Sequence, residues 1–264
     1  MLRDWWSLVN CSLSSTIFIC AIVKLLISCE AIKMTSFRFG VTGCLLLVLS
    51  TVSTKVSAKL SSTVTLASDY LFNGVTQTRE NPALQVSLDW SNNEGAYAGV
   101  WASNVDFGNE IDIEFDGYMG YTGQLNEGMW FDTGFAYYSY HGGSSASDIN
   151  YVEVYGAVGA GNTTLKLWYS PDYAGTDAKH YVLALMQTIP INDNLSINFQ
   201  IDTSKSLDQN LFVWESGDDS YIHWKVESAF SWHGFDLAIG VEGTDLDTYG
   251  ETRLLAKVSR TFDF

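Results

Sequence analysis

The chain has 264 residues and carries 30 acidic against 14 basic side chains, a formal net charge of −16. An acidic balance of this size excludes the basic surface that nucleic-acid phosphates require. All four cysteines, Cys11, Cys20, Cys29 and Cys44, precede residue 59, so the remainder has neither a disulfide framework nor a cysteine-ligated metal.

The first 58 residues read as targeting sequence. Arg38 follows Met34 as a short basic region, Val41–Val52 is apolar, and Val56-Ser57-Ala58 offers small residues at a cleavage site before Lys59. Residues 34–58 are therefore expected to be a signal peptide, and 1–33 an upstream extension or mis-assigned start. The rival for that extension is a membrane segment at Ile17–Ile27. It falls short of the roughly 20 apolar residues a spanning helix needs, and Lys24 interrupts it. After cleavage, nine basic and 28 acidic residues remain.

From Ser61 onward, apolar and polar residues alternate in short stretches at about 61–72, 82–90, 95–102, 110–121, 128–140, 149–160, 163–170, 179–189, 195–203, 219–231, 234–242 and 251–264. Tight polar connections (91–94, 124–127, 161–162, 192–194, 233–234) alternate with longer ones (73–81, 103–109, 141–148, 171–178, 204–218, 243–250). Hydrocarbon supplies no partner for an open strand edge, so only helices and closed barrels span a bilayer. Short turns at one end and long loops at the other are the habit of outer-membrane barrels. The pattern predicts an all-β, transmembrane, antiparallel up-and-down β-barrel of about 12 strands over 59–264, preceded by the signal peptide and placed in the cell outer membrane. In the last stretch Leu254, Ala256, Val258, Phe262 and Phe264 share one face, and Arg253, Lys257, Ser259, Thr261 and Asp263 the other. Two aromatic girdles are expected: Trp90, Tyr121, Trp130, Trp232, Phe235 and Phe264 at the tight-turn end, and Tyr70, Phe72, Trp101, Tyr137 and Tyr169 at the long-loop end.

Ala67–Gln85 (ASDYLFNGVTQTRENPALQ) and Tyr97–Phe107 (YAGVWASNVDF) resemble the opening of the TorF-type putative porin family of proteobacterial outer-membrane proteins. The resemblance implies an outer-membrane barrel and passive permeation, and it brings no substrate. Within the first block, Asn73, Gly74, Gln77 and Thr78 form either a loop folded inward to constrict a pore or an ordered hairpin cap.

With the apolar face toward lipid, the lumen receives Asp69, Asp112, Glu114, Asp116, Asp132, Glu153, Lys166, Lys225, Glu227, Arg253 and Lys257, with Asp89, Asp202, His223 and Glu242 among their neighbours. Asp112, Glu114 and Asp116 make the densest acidic row, expected to pair across the barrel with Lys166, Lys225, Arg253 or Lys257. Spaced two apart on one strand, they form a ladder and not a calcium coordination sphere. Acids outnumber bases, and such a lumen concentrates cations.

The expected function is a porin-like diffusion channel for small hydrophilic solutes or ions, cation-preferring, without enzymatic activity, cofactor, metal or catalytic residues. Expected partners are outer-membrane lipid, the barrel-assembly machinery acting on the strand that ends in Phe264, and the permeating solutes. The alternatives are a closed structural or partner-binding barrel and an outer-membrane hydrolase. In 204–218, Leu211–Trp214 reads as a strand extension more readily than as an inward fold or contact surface.

Overall fold

A computed structural model describes residues 58–264. The expected extension and signal peptide lie outside the described residues, apart from Ala58, which begins the first strand. The barrel wall contains β1 (Ala58–Ala67), β4 (Ala83–Asn92), β5 (Ala96–Asn104), β6 (Ile113–Asn126), β7 (Met129–His141), β8 (Tyr151–Ala160), β9 (Thr163–Ser170), β10 (His180–Asn192), β11 (Leu195–Ser206), β12 (Ser220–Trp232), β13 (Phe235–Thr244) and β14 (Arg253–Asp263). A separate small hairpin, β2 (Leu71–Phe72) with β3 (Val75–Thr76), follows β1. Every wall strand is antiparallel to its sequence neighbour, and β14 returns to β1 to close the barrel.

The closing seam runs from Ser61 opposite Asp263 to Ala67 opposite Lys257. At one end the Phe264 N–H donates to the Leu60 carbonyl (2.9 Å), and at the other the Ser68 N–H donates to the Ala256 carbonyl (2.9 Å). Hydroxyl pairs Thr63 with Thr261 (2.9 Å) and Thr65 with Ser259 (2.8 Å) line its inner side. No backbone edge is left for hydrocarbon to meet, which is the condition for a spanning sheet.

Two faces follow from the pleat. Leu165, Leu185 and Ile201 are cross-strand neighbours on the outside, 45%, 48% and 51% exposed. One residue along, Ala184 and Asp202 are buried inside. An apolar outer band over a polar inner wall is what a lipid-spanning barrel needs. The tight turns also match the sequence pattern: His233 and Gly234 both have positive φ (49° and 79°), the primed geometry that fits strand twist.

Several elements depart from the sequence reading. The first strand ends at Ala67, because the Asn73-Gly74 turn (φ 48° and 83°) folds Leu71–Phe72 back on Val75–Thr76. Ile111 is buried and Asp112 is exposed, so the alternation seen in Ile113–Asp116 does not extend back to them. Ile111 instead joins Val105, Tyr140 and Tyr151 in an apolar cluster among the long loops. The girdles are also thinner than expected. Trp90, Tyr121, Trp232 and Tyr137 are exposed on the outside, but Trp130 covers Gly159, and Tyr70, Phe72 and Trp101 line an internal cavity.

For Trp130 the reason lies in a repeated pairing. Gly99 stands opposite Tyr118, Gly120 opposite Tyr97, Gly134 opposite Tyr155 and Gly159 opposite Trp130. In each pair the ring occupies the space a glycine Cβ would fill. Strand glycines pack weakly by themselves, and a cross-strand ring restores the lost contact.

Leu185→Arg tests the lipid-facing assignment. It is expected to lower stability by about 2–4 kcal/mol, the cost of a cation in the middle of the bilayer, in urea unfolding of the barrel refolded into vesicles. A loss within experimental error would contradict it.

Candidate functional site

The inner wall carries the chemistry, and it divides into two sectors. Over β4–β9, tyrosines serve the acids. Tyr97 Oη donates to Asp132 (2.5 Å) and lies 2.6 Å from Tyr155 Oη, while Tyr118 donates to Asp89. Tyr138 donates to Glu153 (2.9 Å) and Tyr140 to Glu114 (3.1 Å). Lys166 holds its ammonium over the rings of Tyr155 (4.1 Å) and Trp168 (4.6 Å), a cation–π arrangement.

Over β11–β14, cations serve the acids. Lys257 and Lys225 approach Glu227 at 3.6 and 4.0 Å. Arg253 reaches Glu80 at 3.1 Å and Asp69 at 4.0 Å. His223 Nδ1 lies 2.7 Å from Asp202 and its Nε2 2.9 Å from Glu242, all three buried. An imidazolium, with two N–H donors, serves one oxygen of each carboxylate at once.

The sequence-predicted residues are thus only partly brought together. Glu114, Asp116, Asp132, Glu153, Lys166, Lys225, Glu227, Arg253 and Lys257 lie on inward positions of their strands, and Asp69 is buried just beyond β1. Asp112 does not join them, since it is exposed and precedes β6. Nor do Glu114 and Asp116 pair with lumenal cations. Lys225, Lys257 and Arg253 go to Glu227, Asp69 and Glu80, Lys166 goes to aromatic rings, and Glu114 Oε2 and Asp116 Oδ1 are buried with no hydrogen-bond partner.

The β2–β3 hairpin lies within the barrel. Phe72 packs against Tyr138 of β7 (6.1 Å between ring centroids), while the Asn73 carbonyl accepts from Tyr221 of β12 (3.0 Å). These two strands stand on nearly opposite sides of the twelve-stranded wall. Gly74 sits so close to His223 and Thr244 that a Cβ would fall 2.7 and 2.6 Å from them. Its base is fixed by Asp69, whose Oδ1 accepts from Thr76 (2.7 Å) and lies equally close to the buried Thr78 hydroxyl. The Gln77 carbonyl accepts from Asp106 N–H (2.7 Å), tying the first long loop to the second.

Above the hairpin, the long loops turn inward. The chain after β11 does not continue as a strand. Phe212 and Trp214 fold in against Tyr173, at ring-centroid distances of 5.5 and 5.8 Å, and Tyr173 stacks on His180 at 4.1 Å. Leu211–Trp214 is an extension in the sequence reading because its apolar run fits a strand; the inward aromatic cluster supplies a better burial for the two rings. A clamp holds this loop. Glu215 accepts the N–H groups of Thr248 (2.6 Å) and Asp247 (2.7 Å). Desolvation, the largest single influence, raises the Glu215 carboxyl, but the donors of Thr248, Asp247 and Tyr249 together outweigh it and leave it below the ordinary carboxylate range. Beneath the plug, Glu153, His180, Ser204 and Ser206 are almost wholly shielded from solvent.

The ring-on-glycine pairs escape a reading by alternation alone, whereas a hairpin at Asn73-Gly74 is one of the two alternatives read there. The dipeptide Asn73-Gly74 was the available signal for the hairpin, since it favours a two-residue turn with both φ positive.

A closed twelve-stranded barrel with an apolar outer band and a polar inner wall is a transmembrane β-barrel of the outer-membrane type. The chain belongs to a family described as bacterial protein of unknown function (Gcw_chp), whose model matches residues 52–245. No curated protein matches the sequence. Among solved structures, the fold is similar to the KdgM porin, described in complex with disordered oligogalacturonate, at 10% identity and a TM-score of 0.51, covering 78% of this chain and 99% of that one. It is also similar to the NanC porin at 11% identity and a TM-score of 0.50, covering 78% and 100%.

The His223 bridge is the most exacting part of the inner wall. His223→Leu leaves Asp202 and Glu242 buried without their shared donor, and is expected to cost about 3–5 kcal/mol in vesicle unfolding. His223→Leu combined with Asp202→Asn and Glu242→Gln should recover part of that loss. An unaltered single variant would contradict the bridge.

Proposed function

We propose that the mature protein, beginning near Lys59, is an outer-membrane diffusion pore for small hydrophilic solutes or ions, cation-preferring and sealed at its external mouth at rest. The observation that carries this reading is a closed barrel with a polar inner wall on which carboxyls, from Asp89 and Asp132 round to Glu227 and Glu242, outnumber amines and guanidinium. Charged walls in a narrow pore select by sign. In this reading the tight turns face the periplasm and the long loops face outward. The β2–β3 hairpin constricts the pore, and Phe212 with Trp214 forms the removable part of the seal. Phe264, at the end of the closing strand, is the feature offered to the barrel-assembly machinery. The likeness in fold to two porins and the resemblance of Ala67–Gln85 to TorF-type putative porins add support.

The burial of the external half favours a second reading, a closed structural or partner-binding barrel. A hydrolase has less support. Ser139 Oγ lies 3.2 Å from His141 Nε2 but donates its proton to the Phe115 carbonyl (2.5 Å), so the imidazole is not placed to remove it. His180 and Ser204 pair at 2.8 Å under the plug, where no lipid reaches.

Planar-bilayer recording separates the first two readings. The expected result is stepwise conductance with a reversal potential on the cation side of a salt gradient, rising in frequency for Phe212→Ala with Trp214→Ala. Silent bilayers for both proteins, with the fold verified by heat-modifiable migration, would contradict the pore and leave the closed barrel.

A further inference from the structure

Below the plug, a cavity of about 320 Å³ lies between the β2–β3 hairpin and the inner faces of β5–β9. Its size falls at the lower end of the range for small-molecule sites. Seven of its ten lining residues are aromatic, and three of the tyrosines have their hydroxyls committed to the wall: Tyr118 to Asp89, Tyr138 to Glu153 and Tyr155 to Tyr97. They therefore present ring surface and not polar atoms. Two polar groups keep unused capacity. Asp116 is more than nine-tenths buried and its Oδ1 has no hydrogen-bond partner. Lys166 makes no ion pair within 4.0 Å among the described residues and rests on the faces of Tyr155 and Trp168.

These groups discriminate between classes of guest. An anion would meet Asp116 with Glu114 and Glu153 on the neighbouring positions. A cation would compete with Lys166 for the same ring faces. A pure hydrocarbon would leave a buried carboxyl and an ammonium unpaired, which is costly. A neutral sugar ring fits on all counts. It has an apolar face of C–H groups to lie on Trp101 and a rim of hydroxyls, each able to donate to Asp116 or accept from Lys166. We propose that this cavity binds a neutral monosaccharide-sized polyol, with Trp101 as platform and Asp116 and Lys166 as the polar contacts.

The inference rests on the pore reading only for how the solute arrives, so binding is measured apart from conduction. Saturation-transfer NMR on the full barrel in detergent micelles would use D-glucose as probe, with D-galacturonate and glycine as charged and zwitterionic comparators. Saturable glucose binding is expected, weaker by about tenfold in Asp116→Ala, the worth of one hydrogen bond to a group otherwise left unpaired. A comparable loss is expected in Trp101→Leu. Asp116→Asn and Lys166→Met, which keep side-chain volume, serve if either variant fails to migrate as folded barrel. Preference for galacturonate or glycine would overturn the proposal, as would glucose binding unaltered in the folded variants. A folded protein that conducts but binds no glucose would overturn the site and leave the pore. One that binds glucose in silent bilayers would do the reverse.

Discussion

The pairing of β14 with β1 is the interaction on which the rest depends. A sheet in hydrocarbon cannot leave N–H and C=O groups at an edge, so the chain must bring residues nearly 200 positions apart into register. Once Ser61 meets Asp263 and Ala67 meets Lys257, the side-chain period of two assigns every wall residue to lipid or to lumen. The hydroxyl pairs Thr63–Thr261 and Thr65–Ser259 place that seam's polar side inward, and Arg260, the exception on the outer face, rests over Phe235 and Phe262.

Closure sets the problem that the interior then solves. A barrel of this size has more inner space than the side chains of an eight-stranded barrel fill and less than a sixteen-stranded porin has. Toward the tight-turn end, rings laid over glycines fill the wall without carrying charge. Further along, most carboxyls that would be costly alone are supplied with a donor, Asp116 being an exception: tyrosines over β4–β9, and His223, Lys225, Lys257 and Arg253 over β11–β14. The hairpin and the Phe212–Trp214 turn complete the filling from above. In the proposed pore, solute passage and stability make opposite demands on the same space, and the loops are the part assigned to satisfy each in turn.

What could be read in the sequence follows from this division. The wall was legible because lipid enforces alternation. Leu84, Val86, Leu88 and Trp90 against Gln85, Ser87 and Asp89 admit one orientation only, and turns such as His233-Gly234 carry their own geometry. Inward positions of Glu114, Asp116, Asp132 and Glu153 followed from the same rule. Its reach ended where lipid does. Asp112 and Ile111 were misplaced because residues above the bilayer answer to loop packing, and Trp130 and Trp101 because an aromatic suits either face of a strand. Which acid meets which cation was also hidden, since partners such as Lys257 and Glu227 depend on strand stagger around the ring and not on spacing along the chain.

The seal over the lumen can be tested most directly by chemical access to a residue beneath it. Residues 59–264 contain no cysteine, so Ser204→Cys places a single, nearly isosteric thiol under the plug. With the barrel in vesicles, a hydrophilic thiol reagent added on the long-loop side should label it slowly, and the rate should rise sharply when Phe212 and Trp214 are both replaced by alanine. Rapid labelling of the thiol with the loop intact, or a rate indifferent to those two rings, would contradict a lumen closed by that plug.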